Sequence, residues 1–354
     1  MHVYVFWRAS SVPYLRRHVS GKLLMVSGIA LWTVFLVGRL LGHGGVGPLS
    51  RMFESLGMNW MAAVFLVTVA FFVVDLITAF GYLLPRLAPF LRGIALLSGV
   101  AMSLAALVQG LRPPEVQDYD VQLSGLPNNM DGTVVVAMSD LHVGTVLDRA
   151  WLEERISQVR AQKPDLVVLL GDIFEGHGEP VGELIPVLHR ISAPLGVWVV
   201  LGNHEFHGRN NTGSSRVNYN GLQVLNNSWT EVRPGLILAG VDDLTANHRL
   251  GQGEGNVTKA LEGRPPGATV FLSHTPWQAE KAAMAGAGLM LSGHTHGGQI
   301  WPFGYLVQRI YPLLAGRYEV KGMTVIVCRG TGTWGPRMRL WRPGEILRVT
   351  LHTK

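Results

Sequence analysis

Gly293-His294-Thr295-His296-Gly297-Gly298-Gln299-Ile300 follows the apolar run Leu289–Leu291. A hydrophobic core has no use for two imidazoles two residues apart among five polar or glycine neighbours. A metal site does, because histidine is the commonest metal ligand and glycine lets the backbone turn sharply enough to aim it. In an extended segment, residues two apart project to the same side, so His294 and His296 are expected to act as a two-pronged clamp.

Four more polar motifs stand just beyond β-branched or leucine-rich runs. Asp140-Leu141-His142 follows Thr133–Met138, and Gly171-Asp172 follows Leu166–Leu170. Gly202-Asn203-His204-Glu205 follows Val197–Leu201, and Ser273-His274 follows Thr269–Leu272. Asp-x-His and Gly-Asp are each ordinary as turns, and a lone histidine at a strand end is usually just hydrogen-bonded. Their ordered recurrence behind five strands is not ordinary. Ligand sites in α/β sheets gather beyond the carboxyl ends of strands, so motifs far apart in the chain can converge there. Asp140 and His142 form a second expected clamp. Aspartate, histidine and asparagine supply oxygen and nitrogen ligands without sulfur, a set that suits Mn, Fe or Zn.

Around these motifs, Leu236–Ala239, Thr324–Val327 and Ile346–Leu351 also read as strands. Asp148–Gln162 reads as a helix: Asp148 is a suitable N-cap, and Trp151, Leu152, Ile156 and Val159 share a face. Alternating strands and helices make residues 132–354 an α/β layered domain. Residues 112–131 begin with Arg112-Pro113-Pro114, are otherwise polar, and read as a linker.

The first third differs in kind. The 354-residue chain is 48% hydrophobic and 15% charged, well below the roughly 25% charge of average soluble domains. Three apolar stretches, about 23–41, 60–80 and 90–111, each reach the ~20 residues that a membrane-spanning helix needs. Eight of the 30 basic residues but only two of the 24 acidic ones fall in 1–111, leaving 22 of each sign in the remainder. The net charge of +6 therefore belongs to the membrane region, which favours a membrane-flanking role and argues against a nucleic-acid partner. Arg8, Arg16, Arg17, Lys22, Arg86 and Arg92 would lie on the cytoplasmic side and Arg39, Arg51 and Arg112 outside, so three crossings place the 132–354 domain outside the cytoplasm. Asp75, within the second span, has no partner recognisable from sequence, and a structural role is expected for it. One cysteine, Cys328, excludes a disulfide framework, an iron–sulfur cluster and a thiolate zinc site. The Gly330–Gly335 run lacks the Gly-Lys-Ser/Thr ending of a phosphate-binding loop, which excludes an ATPase of that type.

In this order the five motifs resemble the calcineurin-like metallophosphoesterase superfamily. Gly293–Ile300, and Gly330-Thr331-Gly332-Thr333-Trp334-Gly335 followed by Arg337 and Arg339, resemble its bacterial membrane-anchored or exported branch. The resemblance covers roughly residues 132–352. It implies a four-layer α/β/β/α sandwich, here preceded by an N-terminal bundle of about three transmembrane helices. It also implies two divalent metal ions: one on Asp140, His142 and His296, a second on Asn203, His274 and His294, with Asp172 bridging them. His204 would stand beside the substrate, stabilising charge on phosphorus or protonating the leaving oxygen. The family often has Asp where this chain has Glu175; that position or Glu205 would orient His204.

The chemistry follows from charge. Two divalent ions opposed by two carboxylates leave about +2, which draws an anion and holds a bridging water as hydroxide for in-line attack on phosphorus. The expected reaction is hydrolysis of phosphate mono- or diesters, on a membrane-associated and lipid-linked substrate outside the cytoplasm, by an integral protein of the cell membrane. A nucleotide-diacylglucosamine pyrophosphatase of lipid A synthesis is the competing enzyme reading and needs a cytoplasmic site. A non-catalytic scaffold is the third reading and expects missing ligands. His177 and His207, near the motif loops, and Arg329, Arg337 and Arg339 are further polar candidates, with surface roles as their alternative.

Overall fold

The computed structural model describes residues 1–42, 47–175, 181–206, 219, 222–249 and 256–354. The chain forms two compact units: Met1–Arg112 with Gly335–Trp341, and Pro113–Trp334 with Arg342–Lys354.

The first unit contains α1 (His2–Ala9), α2 (Pro13–His18), α3 (Gly21–Val37), α4 (Pro48–Ile77) and α5 (Ala88–Leu111). Ser20 caps α3 by accepting the Leu23 N–H at 3.1 Å, and prolines in the first turns of α4 and α5 sit where no N–H is missed. The helical stretches Gly21–Leu40, which extends α3 by one further turn, Pro48–Ile77 and Ala88–Leu111 are long and apolar enough to cross a membrane. Large apolar side chains such as Ile29, Phe72 and Leu97 point outward, the inverse of a water-soluble helix bundle. The second helix begins well before the expected span, because Pro48 starts a helix that carries Arg51, Glu54 and Asn59 before its apolar run. Asp75, expected without a partner, is fully buried and has three. Arg8 Nε lies 2.6 Å from Oδ2, Arg92 Nη2 donates to Oδ1 at 3.0 Å, and the Tyr4 hydroxyl donates to Oδ2 at 2.5 Å. Two guanidiniums from α1 and α5 thus converge on one carboxylate of α4, a geometry that pins three helices together. Within the same unit, the Arg339 N–H donates to Ala106 O at 2.9 Å and the Trp341 N–H to Gln109 Oε1 at 2.7 Å.

Among the described residues the second unit contains twelve strands: β1 (Glu115–Leu123), β2 (Thr133–Met138), β3 (Leu166–Leu170), β4 (Val197–Val200), β5 (Gln223–Val224), β6 (Ser228–Arg233), β7 (Leu236–Gly240), β8 (Ala268–Leu272), β9 (Leu289–Ser292), β10 (Gly316–Val320), β11 (Met323–Val327) and β12 (Glu345–Thr353). They form two six-stranded sheets, ordered β1-β12-β2-β3-β4-β5 and β10-β11-β9-β8-β7-β6. β2 to β5 are mutually parallel, as are β7, β8, β9 and β11, so within each sheet the carboxyl ends of these strands share one edge. The two sheets pack face to face through Val135, Val168, Leu170 and Val349 on one side and Leu238, Val270, Leu272 and Leu291 on the other. The opposite face of the first sheet (Val136, Met138, Val167, Leu169) is covered by α6 (Arg149–Ala161) and α7 (Val181–Leu188). The opposite face of the second (Ala239, Phe271, Met290, Val325) is covered by α9 (Asn256–Leu261) and α10 (Ala279–Met284). α8 (Leu244–Arg249) and α11 (Gly304–Ile310) are the other α-helices of the unit among the described residues. This is the expected α/β/β/α order, and Asp148 caps α6 as expected by accepting the Trp151 N–H at 3.0 Å.

One expectation fails. Residues 112–131 are not a tether throughout, because Glu115–Leu123 pairs in parallel with the whole of β12, from Glu115 opposite Glu345 to Leu123 opposite Thr353. Its polar residues face outward at a sheet edge, while Val121 and Leu123 are buried.

Candidate metal centre

Each expected site residue lies just past a strand end. Asp140 follows β2, Asp172 follows β3, Asn203 follows β4, His274 follows β8, and His294 and His296 follow β9. Three sets of side chains each bring one ligand atom per residue within 4.8 Å of the others: Asp140, His142 and His296; His142, Asp172 and His204; Asp172, His274 and His294. His142 and Asp172 are each shared by two sets, so these residues form one cluster.

The backbone shows how the side chains are aimed. Asp140, His142, Asp172, His294 and His296 all have positive φ, between 47° and 71°, a region that residues other than glycine seldom occupy. Strain of this kind persists only where surrounding structure enforces it, and it gathers at functional sites. It also corrects the clamp reading. The segments are not extended, and His294 and His296 diverge into different sets, although Asp140 and His142 do share one. A Cβ at Gly202 would overlap Asp172 Oδ1, so the loop after β4 can approach the carboxylate only as glycine.

Hydrogen bonds divide each carboxylate between a structural and an open oxygen. Asp140 Oδ2 accepts from the Ser139 hydroxyl and from the His294 N–H at 3.0 Å. Its Oδ1 accepts no hydrogen bond among the described residues and lies 3.4 Å from His296 Nε2. Asp172 Oδ1 accepts the His204 N–H at 2.8 Å, while Oδ2 lies 3.2 Å from His274 Nε2, 3.8 Å from His142 Nε2 and 4.0 Å from His204 Nε2. Asn203 Oδ1 is buried and likewise accepts nothing among the described residues. Buried oxygens without donors cost roughly 1–3 kcal/mol each. A cation resolves that cost for Asp140 Oδ1 and Asn203 Oδ1, so the donor set fits divalent ions.

The imidazoles are held from behind. His274 Nδ1 donates to Leu170 O at 2.7 Å; burial is outweighed by Asp172 and Asp140, which raise the pKa of this imidazole well above its ordinary value, so Nε2 turns a proton toward Asp172 Oδ2 that a cation would have to displace. His142 Nδ1 lies 2.5 Å from Glu175 Oε2, and His294 Nε2 lies 2.8 Å from the Tyr311 hydroxyl. Such outer partners fix ring orientation at metal sites. Burial would raise both aspartates, but the imidazoles outweigh it: His296 and His274 hold Asp140 below the usual carboxylate range, and His274 holds Asp172 well below it. Burial and the neighbouring His274 push His294 down to about 4, so its ring is neutral at neutral pH. His142 moves the other way, to about 9, because Glu175 outweighs burial. A cation entering the site must displace that proton.

A family model for calcineurin-like phosphoesterases matches residues 133–298, a span that includes every residue of the cluster. A metallophosphoesterase of Aquifex aeolicus is 32% identical over 246 residues, 68% of this chain and 92% of the relative. One from Campylobacter jejuni is 31% identical over 258 residues, 72% of this chain and 68% of the relative. The chain belongs to the calcineurin-like metallophosphoesterases. A transmembrane protein with a metallophosphoesterase domain from Danio rerio is 32% identical over 270 residues, covering 73% of this chain, which spans 62% of that relative's length.

Within this metallophosphoesterase domain, Glu175 reaches the orienting position expected of it only in part, lying 2.5 Å from His142 Nδ1 and 3.5 Å from His204 Nδ1. Glu205, the alternative, faces the backbone instead. Its carboxylate accepts the N–H groups of Gly202, Asp172 and Ile173 at 2.7, 2.9 and 2.8 Å. Burial and the charge of Asp172 push its pKa up to about 7. Arg329 pairs with buried Glu345 at 2.6 Å. His177 and His207 lie outside the described residues. Sequence reading missed Ser139, Tyr311 and Asp243. Asp243 accepts from the Thr275 hydroxyl at 2.5 Å and so steadies the loop beside His274. Ser139 adjoins Asp140 and was open to notice, whereas Tyr311 lies in no motif.

Proposed function

We propose that this chain is a two-metal phosphoester hydrolase. Asp140, His142 and His296 hold one divalent ion, Asn203, His274 and His294 hold the other, and Asp172 serves both. The observation that carries this reading is the division of Asp172: Oδ1 is tied to the His204 N–H, and Oδ2 faces histidines of both sets. Mn, Fe and Zn all suit the donor set.

Bound ions would supply Lewis-acid neutralisation of the phosphate and acidify a water to serve as nucleophile near neutral pH. The chain's residues do the rest. Asp140 and Asp172 remain anionic and fix the positions of charge. Glu175 and Tyr311 hold His142 and His294 in register, so the ligand atoms need no reorganisation. His204 is the histidine of the cluster outside the two proposed ligand sets. Its Nε2 is 4.0 Å from Asp172 Oδ2, which suits it to steady charge on phosphorus and donate a proton to the leaving oxygen.

The substrate we propose is membrane-associated and met outside the cytoplasm, on the strength of the three apolar helices and the Lys/Arg count. A topology reporter fused after Lys354 tests the orientation; a cytoplasmic signal would favour the pyrophosphatase reading instead. For the chemistry, the full chain in nanodiscs is assayed with p-nitrophenyl phosphate and bis-p-nitrophenyl phosphate across metals. Metal-dependent turnover that falls about 10²–10⁴-fold in His204→Ala, with metal content retained, supports the assignment. Unchanged turnover in that variant would remove His204 from the reaction.

A further inference from the structure

α11 buries none of its side chains, although a helix in a globular domain normally hides one apolar face. Tyr305, Leu306 and Ile310 are 66%, 63% and 62% exposed, and Trp301 and Phe303 just before the helix are exposed as well. A single exposed leucine is ordinary, but Trp301, Phe303, Tyr305, Leu306 and Ile310 standing together make a patch.

The patch is rigidly attached to the metal cluster. A Cβ at Gly298 would overlap Gly304 Cα, so the start of α11 packs backbone to backbone on the loop that carries His296. At its other end Tyr311 hydrogen-bonds His294 and stacks on Trp277 with ring centroids 5.5 Å apart. The Thr295 hydroxyl, between the two histidines, donates to Leu314 O at 2.5 Å. α11 is therefore a fixed apolar ledge beside the cluster.

Two observations select its occupant. Only Arg112–Pro114 separates the last residue of α5 from the first of β1, so the chain passes from any bilayer that α5 crosses directly into the first strand of the catalytic sheet, with no long spacer between. The side chains are also those of a membrane interface: tryptophan, tyrosine and phenylalanine together with exposed Arg309, whose charge complements anionic headgroups.

We infer that α11 docks into the bilayer interface and that the phosphoester hydrolysed at the cluster is carried on a lipid. The acyl chains stay in the bilayer while the headgroup phosphate reaches His294 and His296. This rests on the phosphoesterase reading above and adds the substrate class to it.

The test uses the full chain in nanodiscs of phosphatidylcholine and phosphatidylglycerol. Leu306→Cys is labelled with an environment-sensitive fluorophore; native Cys328 is fully buried and stays unlabelled. Blue-shifted emission quenched by doxyl-labelled lipid is expected. Emission typical of water overturns the docking, as does a blue shift without lipid quenching, which would mean a protein occupant. The double variant Leu306→Asp, Ile310→Asp is then assayed on p-nitrophenyl phosphate and on nanodisc-borne phosphatidic acid and phosphatidylglycerol. Turnover of the soluble ester within about twofold of wild type, with at least a tenfold loss on a lipid ester, is expected. Equal effects on both, or a wild type that cleaves only the soluble ester, overturn the lipid substrate. A metal-loaded wild type that cleaves neither ester overturns the phosphoesterase reading, and the quenching still decides the docking.

Discussion

The Glu205 carboxylate accepts the backbone N–H of Asp172, 33 positions away in the chain, at 2.9 Å. It also accepts those of Ile173 and Gly202, so one buried side chain ties the loop after β3 to the loop after β4. With the Phe174 N–H, a longer donor at 3.4 Å, Glu205→Ala would strand four buried donors, the three short ones each costing about 1–3 kcal/mol. A loss of at least about 3 kcal/mol is expected on thermal unfolding of the full chain in detergent, with a smaller loss for Glu205→Gln, which keeps one acceptor. An unchanged melting temperature in Glu205→Ala would contradict this role.

Tyr311 reaches the cluster through His294. Tyr311→Phe keeps the ring and removes the hydroxyl that holds the imidazole, and such outer-contact losses weaken metal affinity about 10–100-fold. Competition with a chelator should show one ion leaving more readily in the variant. At saturating metal its kcat should match wild type; a lower kcat there would give Tyr311 a direct part in the reaction.

Asp242, which belongs to neither proposed ligand set, offers a stability switch. Burial, outweighing the Asn227 hydrogen bond, pushes its pKa up to about 6 from an ordinary 3.8. The protonated form is therefore favoured by folding, and the stability it confers is complete below about pH 4 and lost as pH rises through about 6. Asp242→Asn should raise the melting temperature at pH 8, with a gain on the order of 2 kcal/mol in stability, and leave it unchanged at pH 4. An equal shift at both pH values would rule out titration as its cause.

Asp75 faces two guanidiniums, so Asp75→Asn leaves buried cations without a counter-charge, a loss of about 3–5 kcal/mol. Replacing all three charged residues with Asp75→Leu, Arg8→Met and Arg92→Met should recover most of it. Melting of the detergent-solubilised chain distinguishes the two, and a triple variant no better than Asp75→Asn would mean the cluster does more than pin helices.

Sequence legibility followed burial. The eight strands read from sequence are β2, β3, β4, β7, β8, β9, β11 and β12, all interior to the two sheets and marked by runs rich in aliphatic and β-branched residues, which Arg348 and Thr350 interrupt in β12. The four missed strands, β1, β5, β6 and β10, are the four sheet edges. An edge strand is solvated along one side, carries polar residues, and gains its identity from a partner that lies elsewhere in the chain. The site shows the same division. Asp140, His142, Asp172, Asn203, His204, His274, His294 and His296 each occupy a short polar motif behind a buried strand, and all could be named. Tyr311 and Asp243 act across loops with no local signature. The roles of Glu175 and Glu205 could not be separated from spacing alone, because both carboxylates stand near His204 and only the fold shows which one turns toward backbone N–H groups. The left-handed conformation of the cluster residues was equally invisible, since it is imposed by the loops around them.

The two-metal assignment stands or falls on the number of ions the protein binds. Elemental analysis of the purified full chain counts them, beside Asp172→Ala, with turnover of p-nitrophenyl esters measured on the same samples. Two ions per wild-type chain, fewer in Asp172→Ala, and turnover lost with them is the expected result. A folded wild-type chain that binds no divalent metal when supplied with Mn, Fe or Zn would contradict it.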